Sequence, residues 1–212
     1  SEHNFINVPV FYPQGVKDTV INGEKKIDSV YHTIPPFRFL NQNGDSVSEK
    51  NYSGKIYVAD FFFVSCQTIC PKMTSQLYRV QEKVKPNKDV MFLSHTVNPS
   101  QDSAEALAAY AKTHKADLTR WNFVTGEKEK IYTQARQGFF LPVEAGNGGA
   151  DDFIHSNMLV LVDKEKRIRG YYDGTSITEV NKLIDDIKML LADYERRNPT
   201  LNNKITKKTK DE

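Results

Sequence analysis

The chain has 212 residues, a length that suits one domain carrying an insertion or an extension. Hydrophobic residues make up 39% and charged residues 26%, a globular balance that excludes general disorder, and a chain this long needs no disulfide or metal staple to fold. Net charge is only +2, and residues 195–212 hold six basic and three acidic residues, so the remainder is near neutral and a globally basic nucleic-acid binder is excluded.

No apolar run exceeds the six residues Ala106–Ala111, too few to cross a bilayer. The sequence opens on Ser1 without a signal-like stretch, which reads as a processed or trimmed fragment. In chain order, Val8–Tyr12 and Val20–Ile21 around Asn22-Gly23 predict a strand pair or extended arm ahead of the main body. Phe37–Leu40 followed by Asn43-Gly44 predicts an edge hairpin. The near-continuous apolar run Ile56–Val64 predicts a strand covered on both faces.

Met73, Leu77, Val80 and Val84 then fall on one helical stripe. Val90–Val97 reads as a second buried strand, Asp102–Lys115 as an alanine-rich helix, Trp121–Val124 as a short strand and Glu127–Arg136 as a helix. Glycines leave Glu144–Ala150 loose. Met158–Val162 reads as a third buried strand turning through Asp163–Lys166 into Ile168–Tyr172. Val180, Leu183, Ile184, Ile187, Leu190, Leu191 and Tyr194 mark the face of a last helix, and the lysine-rich end beyond Pro199 reads as a solvated tail. Strands alternating with helices give an α/β domain.

The chain has two cysteines, Cys66 and Cys70, at the boundary between the Ile56–Val64 strand and a helix starting near Pro71. A buried cysteine is often just a small hydrophobe, and a pair can be a structural disulfide. Three points favour chemistry instead. On a helix, residues four apart share a face at roughly 5–6 Å, close enough to form a disulfide or grip one metal ion. The pair lies at a helix N-terminus, which favours a thiolate. Pro71 suits the first helical turn, where no N–H is needed. A bridge between them would also close almost no loop, so it would stabilise the fold very little.

Asp60 stands in the middle of the apolar strand, where a carboxylate is costly unless hydrogen-bonded or protonated. Its offset of six from Cys66 resembles that of the buried aspartate preceding the redox pair of thioredoxins. The alternative is an aspartate that caps a turn or faces solvent on an edge.

Phe63-Val64-Ser65-Cys66-Gln67-Thr68-Ile69-Cys70-Pro71 resembles the Cys-x-x-x-Cys-Pro signature of the Sco/SenC family. Asn98–Glu105 is similar to that family's Asp-Pro-x-x-Asp-Thr-x-Glu stretch. Trp121–Gly126 is similar to its Trp-x-x-Leu-Thr-Gly, and Asp152–Ser156 to its histidine segment. The resemblance runs from about Ile34 to Leu191. Thr68, Ser65, Asn98 and Gln101 depart from the usual Asp, His, Asp and Arg, which softens the electrostatics near the cysteines and removes no ligand.

The resemblance implies a thioredoxin-like central sheet flanked by helices in residues 34–194, after an N-terminal strand or hairpin extension (1–33) and before a basic tail (195–212). It implies copper as the metal and Cys66, Cys70 and His155 as its ligands, two thiolates and an imidazole being donors that suit copper. It further implies a role in assembling the dinuclear copper centre of cytochrome c oxidase, with the oxidase copper subunit or another copper or thiol protein as partner. The implied location is extracytoplasmic, in the bacterial periplasm, with membrane anchoring by an N-terminal segment absent from this chain.

Met158 could offer a thioether but reads as core, Trp121 reads as a core aromatic, and His3, His32, His95 and His114 read as ordinary surface or core histidines. The glycine-rich segment is expected to carry His155 toward and away from the sulfurs. The competing reading is a thiol–disulfide oxidoreductase using Cys66 and Cys70, with Cys66 as the attacking thiol. A binding module without chemistry is the remaining class. A peroxiredoxin is excluded, since neither cysteine is preceded by Pro-x-x-x-Thr-x-x.

Overall fold

The structure, a computed structural model, describes residues 7–198. Strands β1 (Pro13–Ile21) and β2 (Glu24–Tyr31) pair antiparallel across Asn22-Gly23, whose φ angles are both positive at 53° and 83°. This two-residue turn matches the twist of a hairpin and needs residues that tolerate left-handed backbone. The hairpin is a sheet of its own and is exposed almost throughout, Val16, Val20, Ile21 and Ile27 included. The chain then rejoins the body, where Ile34 N–H donates to Lys166 O at 2.8 Å.

The body contains β3 (Arg38–Asn41), β4 (Ser46–Ser48), a 3-10 turn (Glu49–Tyr52), β5 (Ile56–Phe62), α1 (Ile69–Lys83), β6 (Val90–Thr96), α2 (Ala104–Thr113) and β7 (Trp121–Thr125). It continues through α3 (Lys128–Thr133), a single π turn (Gln134–Gly138), β8 (Met158–Val162), β9 (Ile168–Asp173) and α4 (Ile177–Arg197). The seven body strands form one sheet in the order β4-β3-β7-β6-β5-β8-β9. Strand β5 pairs parallel with β6 and β6 with β7, while β8, β9, β3 and β4 join antiparallel. This is the α/β, thioredoxin-like arrangement expected, with a separate N-terminal hairpin. Of the basic stretch 195–212, Glu195–Arg197 close α4 and residues 199–212 lie outside the described residues.

All seven residues of β5 are buried, as its unbroken apolar run requires. One face, with Val58 and Phe62, packs against Met73 and Leu77 of α1, Leu107 of α2, and Leu183 and Ile187 of α4. The other face, with Ala59 and Phe61, packs against Ile131 and Tyr132 of α3 and Phe139.

Two of the boundaries that differ from the sequence reading bear on the site. Strand β5 stops at Phe62, two residues short of Val64, because the Val64 N–H turns away to a side chain. The helix expected through Arg136 changes at Gln134 into the π turn, and an inserted residue of this kind re-aims the side chains it carries.

Trp121 is completely buried beside Phe92 and Phe123, and its Nε1–H donates to Ser94 Oγ at 2.9 Å. Trp121→Ala is expected to cost about 3–5 kcal/mol. Urea unfolding followed by circular dichroism should show a lower midpoint at an unchanged slope; an unmoved midpoint would contradict this packing.

Candidate functional site

The chain leaves β5 at Phe63 and turns at once. Cys66 N–H donates to Phe63 O at 3.2 Å. Val64 N–H donates to Asp102 Oδ2 at 3.0 Å, and the same oxygen accepts Thr96 Oγ1 at 2.6 Å. Asp102 is 3% exposed and opens the approach to α2, so a carboxylate from the loop after the neighbouring strand β6 fixes the cysteine turn. The sequence flagged Asp102 only within a motif match; its role has no local signal, since its partners Val64 and Thr96 lie on other segments.

Helix α1 begins at Ile69, so Cys70 and Pro71 occupy its first turn while Cys66 precedes it. The expectation that the cysteines share a helical face is therefore corrected. The thiols come together because the turn folds Cys66 back toward the open helix end, so that both cysteines line one cavity. Both are buried and both are free thiols.

Their environments separate them. Burial raises the Cys66 pKa, but hydrogen bonds from the backbone N–H groups of Cys70 and Thr68 and from the side chains of both outweigh it and bring it down to about 7. Thr68 Oγ1 lies 3.6 Å from Cys66 Sγ. Cys70 is pushed up to about 12, chiefly by burial, with the neighbouring Cys66 and Asp60 acting in the same direction and the Phe63 N–H against it.

Asp60 is 1% exposed on the central strand, which removes the turn-cap or solvent-facing alternative. Its Oδ1 accepts Ser94 Oγ at 2.5 Å and its Oδ2 has no hydrogen-bond partner. Burial raises its pKa to about 7, with the Ser94 bond pulling the other way.

A cavity of about 270 Å³ adjoins the thiols. It is lined by both cysteines, Phe63, Ile69 and Val97, and by Ile154, His155 and Ser156 from the segment that enters β8. His155 is exposed, its ring 4.8 Å from Phe153 and 6.3 Å from Phe63. Among the described residues, no group of three or more His, Cys, Asp or Glu is gathered closely enough to hold a metal ion. His155 thus stands on the cavity wall without closing on the two sulfurs.

Of the other described histidines, none lines this cavity. His32 bonds Gly138 O at 2.7 Å, His95 is fully buried and stacked on Phe61, and His114 packs on Tyr110 at the end of α2. His3 lies outside the described residues. Met158 is half-buried against the core on the α3 side of the sheet.

The family described as SCO1/SenC matches residues 25–192. The chain belongs to the SCO1/SenC family. Three solved members are similar to it in sequence and fold. A SCO1/SenC family lipoprotein from Bacillus anthracis is 34% identical with a TM-score of 0.67, over 76% of this chain and 95% of that one. BsSco, described as a Sco-family cytochrome c oxidase assembly protein with a disulfide switch, is 32% identical with a TM-score of 0.64, over 76% and 94%. Arabidopsis thaliana ScoI with copper bound is 26% identical with a TM-score of 0.61, over 76% and 98%.

The pKa split gives a direct test. Alkylation by iodoacetamide should modify Cys66 with a rate rising around pH 7, while Cys70 stays nearly silent to pH 9. Equal labelling of both cysteines at neutral pH would refute the asymmetry. Asp60 gives a second test. A carboxyl whose folded pKa is raised from 3.8 to about 7 contributes stability below pH 4 that is lost as the pH rises through 7. Asp60→Asn should therefore raise the melting temperature at pH 8 while changing it little at pH 4. An equal shift at both would show that Asp60 does not titrate.

Proposed function

We propose that this protein is a copper metallochaperone that holds copper through Cys66, Cys70 and His155 and passes it to the copper centre of cytochrome c oxidase. The observation that carries this reading is one cavity lined by two free thiols and an imidazole. Two sulfur donors and one nitrogen suit copper and would be a poor choice for magnesium or calcium. Three protein donors leave the ion a position open to an incoming ligand, so the ion can pass to a partner by exchange.

The Arabidopsis relative with copper bound supports the metal, and BsSco supports a role in cytochrome c oxidase assembly; the recipient in this reading is the oxidase copper subunit or another copper or thiol protein. Extracytoplasmic placement is supported by the lipoprotein from Bacillus anthracis, and the reading extends it to a bacterial periplasm with an N-terminal membrane anchor. Among the described residues no helix is long and apolar enough to cross a membrane.

The split between the thiols favours a second reading, thiol–disulfide exchange. The Cys66 thiolate would attack a partner disulfide and release one partner thiolate. Cys70, losing its proton, would then displace the mixed disulfide, leaving a Cys66–Cys70 disulfide and a reduced partner dithiol. The disulfide switch named for BsSco lends this support.

His155 separates the two readings. Titrating the reduced protein with Cu(II) should produce sulfur-to-copper charge-transfer bands that Cys66→Ser plus Cys70→Ser abolishes. His155→Ala should weaken copper by more than the roughly 10–100-fold typical of losing an outer partner, while disulfide exchange continues at the wild-type rate. Full copper affinity in His155→Ala would eliminate the three-ligand site and leave the dithiol reading.

A further inference from the structure

The segment from the π turn to β8 carries His155, and one partly buried ion pair holds its middle. Arg136 Nη1 and Nη2 donate to the two carboxylate oxygens of Asp152 at 2.6 and 2.7 Å, with side chains 17% and 11% exposed. Such a planar two-point pair fixes direction as well as distance. The same carboxylate accepts Gly148 N–H at 2.7 Å, and Arg136 Nε donates to Glu144 O at 3.0 Å. Lys128 Nζ holds Gly149 O at 2.7 Å. A Cβ at Gly146 would collide with the Asp152 carboxylate, so the glycine there permits a close approach as well as a loose backbone.

The segment expected to be loose is thus tied down through Asp152. Only residues 153–157 lie between this pair and β8. Within that bridge Ile154 is buried, its N–H 3.5 Å from Tyr132 Oη, and Asn157 O accepts Gly174 N–H at 2.7 Å. The Arg136 bond holds the Asp152 pKa down to about 2, so the pair stays charged above pH 4 and is lost only as the pH falls toward 2.

We propose that Arg136 and Asp152 are positioning residues for metal capture: they pre-order the 144–152 loop so that only the short bridge 153–157 moves when His155 joins the thiols. The inference rests on the ligand set proposed above. Its physical content is entropic, since a loop already ordered contributes no ordering cost when the ion binds. Sequence offers no view of the pair, whose members lie 16 positions apart with no shared periodicity.

The test is a mutant cycle on the full chain, titrated with Cu(II). Asp152→Asn, close in shape but uncharged, should weaken copper about tenfold. Added to His155→Ala it should cost nothing further, because the histidine it positions is gone. Cys66 alkylation, which a general loosening of the site would change, should keep its wild-type pH profile. Hydrogen exchange should show copper protecting only 153–157 in the wild type, and 144–152 as well in Asp152→Asn. If Asp152→Asn does not fold, Arg136→Gln is read in the same way.

An equal loss in the His155→Ala background would show that the pair acts through the fold or the thiols and would overturn the proposal. Unchanged affinity in Asp152→Asn, with a loss in His155→Ala, would overturn the proposal and leave the ligand set standing. Unchanged affinity in His155→Ala would remove the ligand set itself, and the positioning role with it.

Discussion

Strand β5 is buried along its whole length, so the chain leaving it must turn within a few residues to bring a reactive group near solvent. Asp102 fixes where that turn falls. Its carboxylate takes the Val64 N–H that would otherwise lengthen the ladder and holds Thr96 at the end of the neighbouring parallel strand. A buried N–H needs a partner, and supplying it from a side chain ends the strand at Phe62. Everything at the thiol pair follows from this termination, because it places Cys66 three residues ahead of the helix, beside its unpaired N–H groups.

The same geometry makes two chemically similar residues unequal. Cys66 gathers hydrogen bonds that favour its anion, while Cys70, inside the first turn of α1, faces the core above Asp60. A buried carboxyl and a buried thiol near one another both resist ionising. The site therefore holds one sulfur that is readily a thiolate at neutral pH and one that becomes anionic only when something compensates for it. A bound cation would do so in the copper reading; in the exchange reading the thiol loses its proton as the disulfide forms, and no buried anion remains.

Much of the fold was legible because its signals are local. Asn22-Gly23 announced its turn, the apolar run from Ile56 announced a doubly covered strand, and the stripe from Val180 to Tyr194 announced α4. Spacing identified the cysteine pair but misjudged why it meets, since where α1 starts depends on the turn that Asp102 anchors. The Asp60 environment was half legible: its burial follows from the strand, whereas its partner Ser94 belongs to β6 and is known only once the register is set. His155 was reachable only through a motif match, because a lone imidazole in a loop has no pattern of its own. The π turn and the Arg136–Asp152 pair were invisible for the same reason, being products of long-range packing.

The N-terminal hairpin has a consequence for how these molecules behave in a crowd. Among the described residues its two strands pair only with each other, so both outer rims offer backbone donors and acceptors next to exposed Val16, Val20 and Ile27. Such rims are templates for strand addition by another chain. Lys17, Asp18, Lys25, Lys26 and Asp28 are spread along these strands. Their hydrated charges make stacking of ribbon upon ribbon costly, which guards against association at a place where the described residues provide no cover.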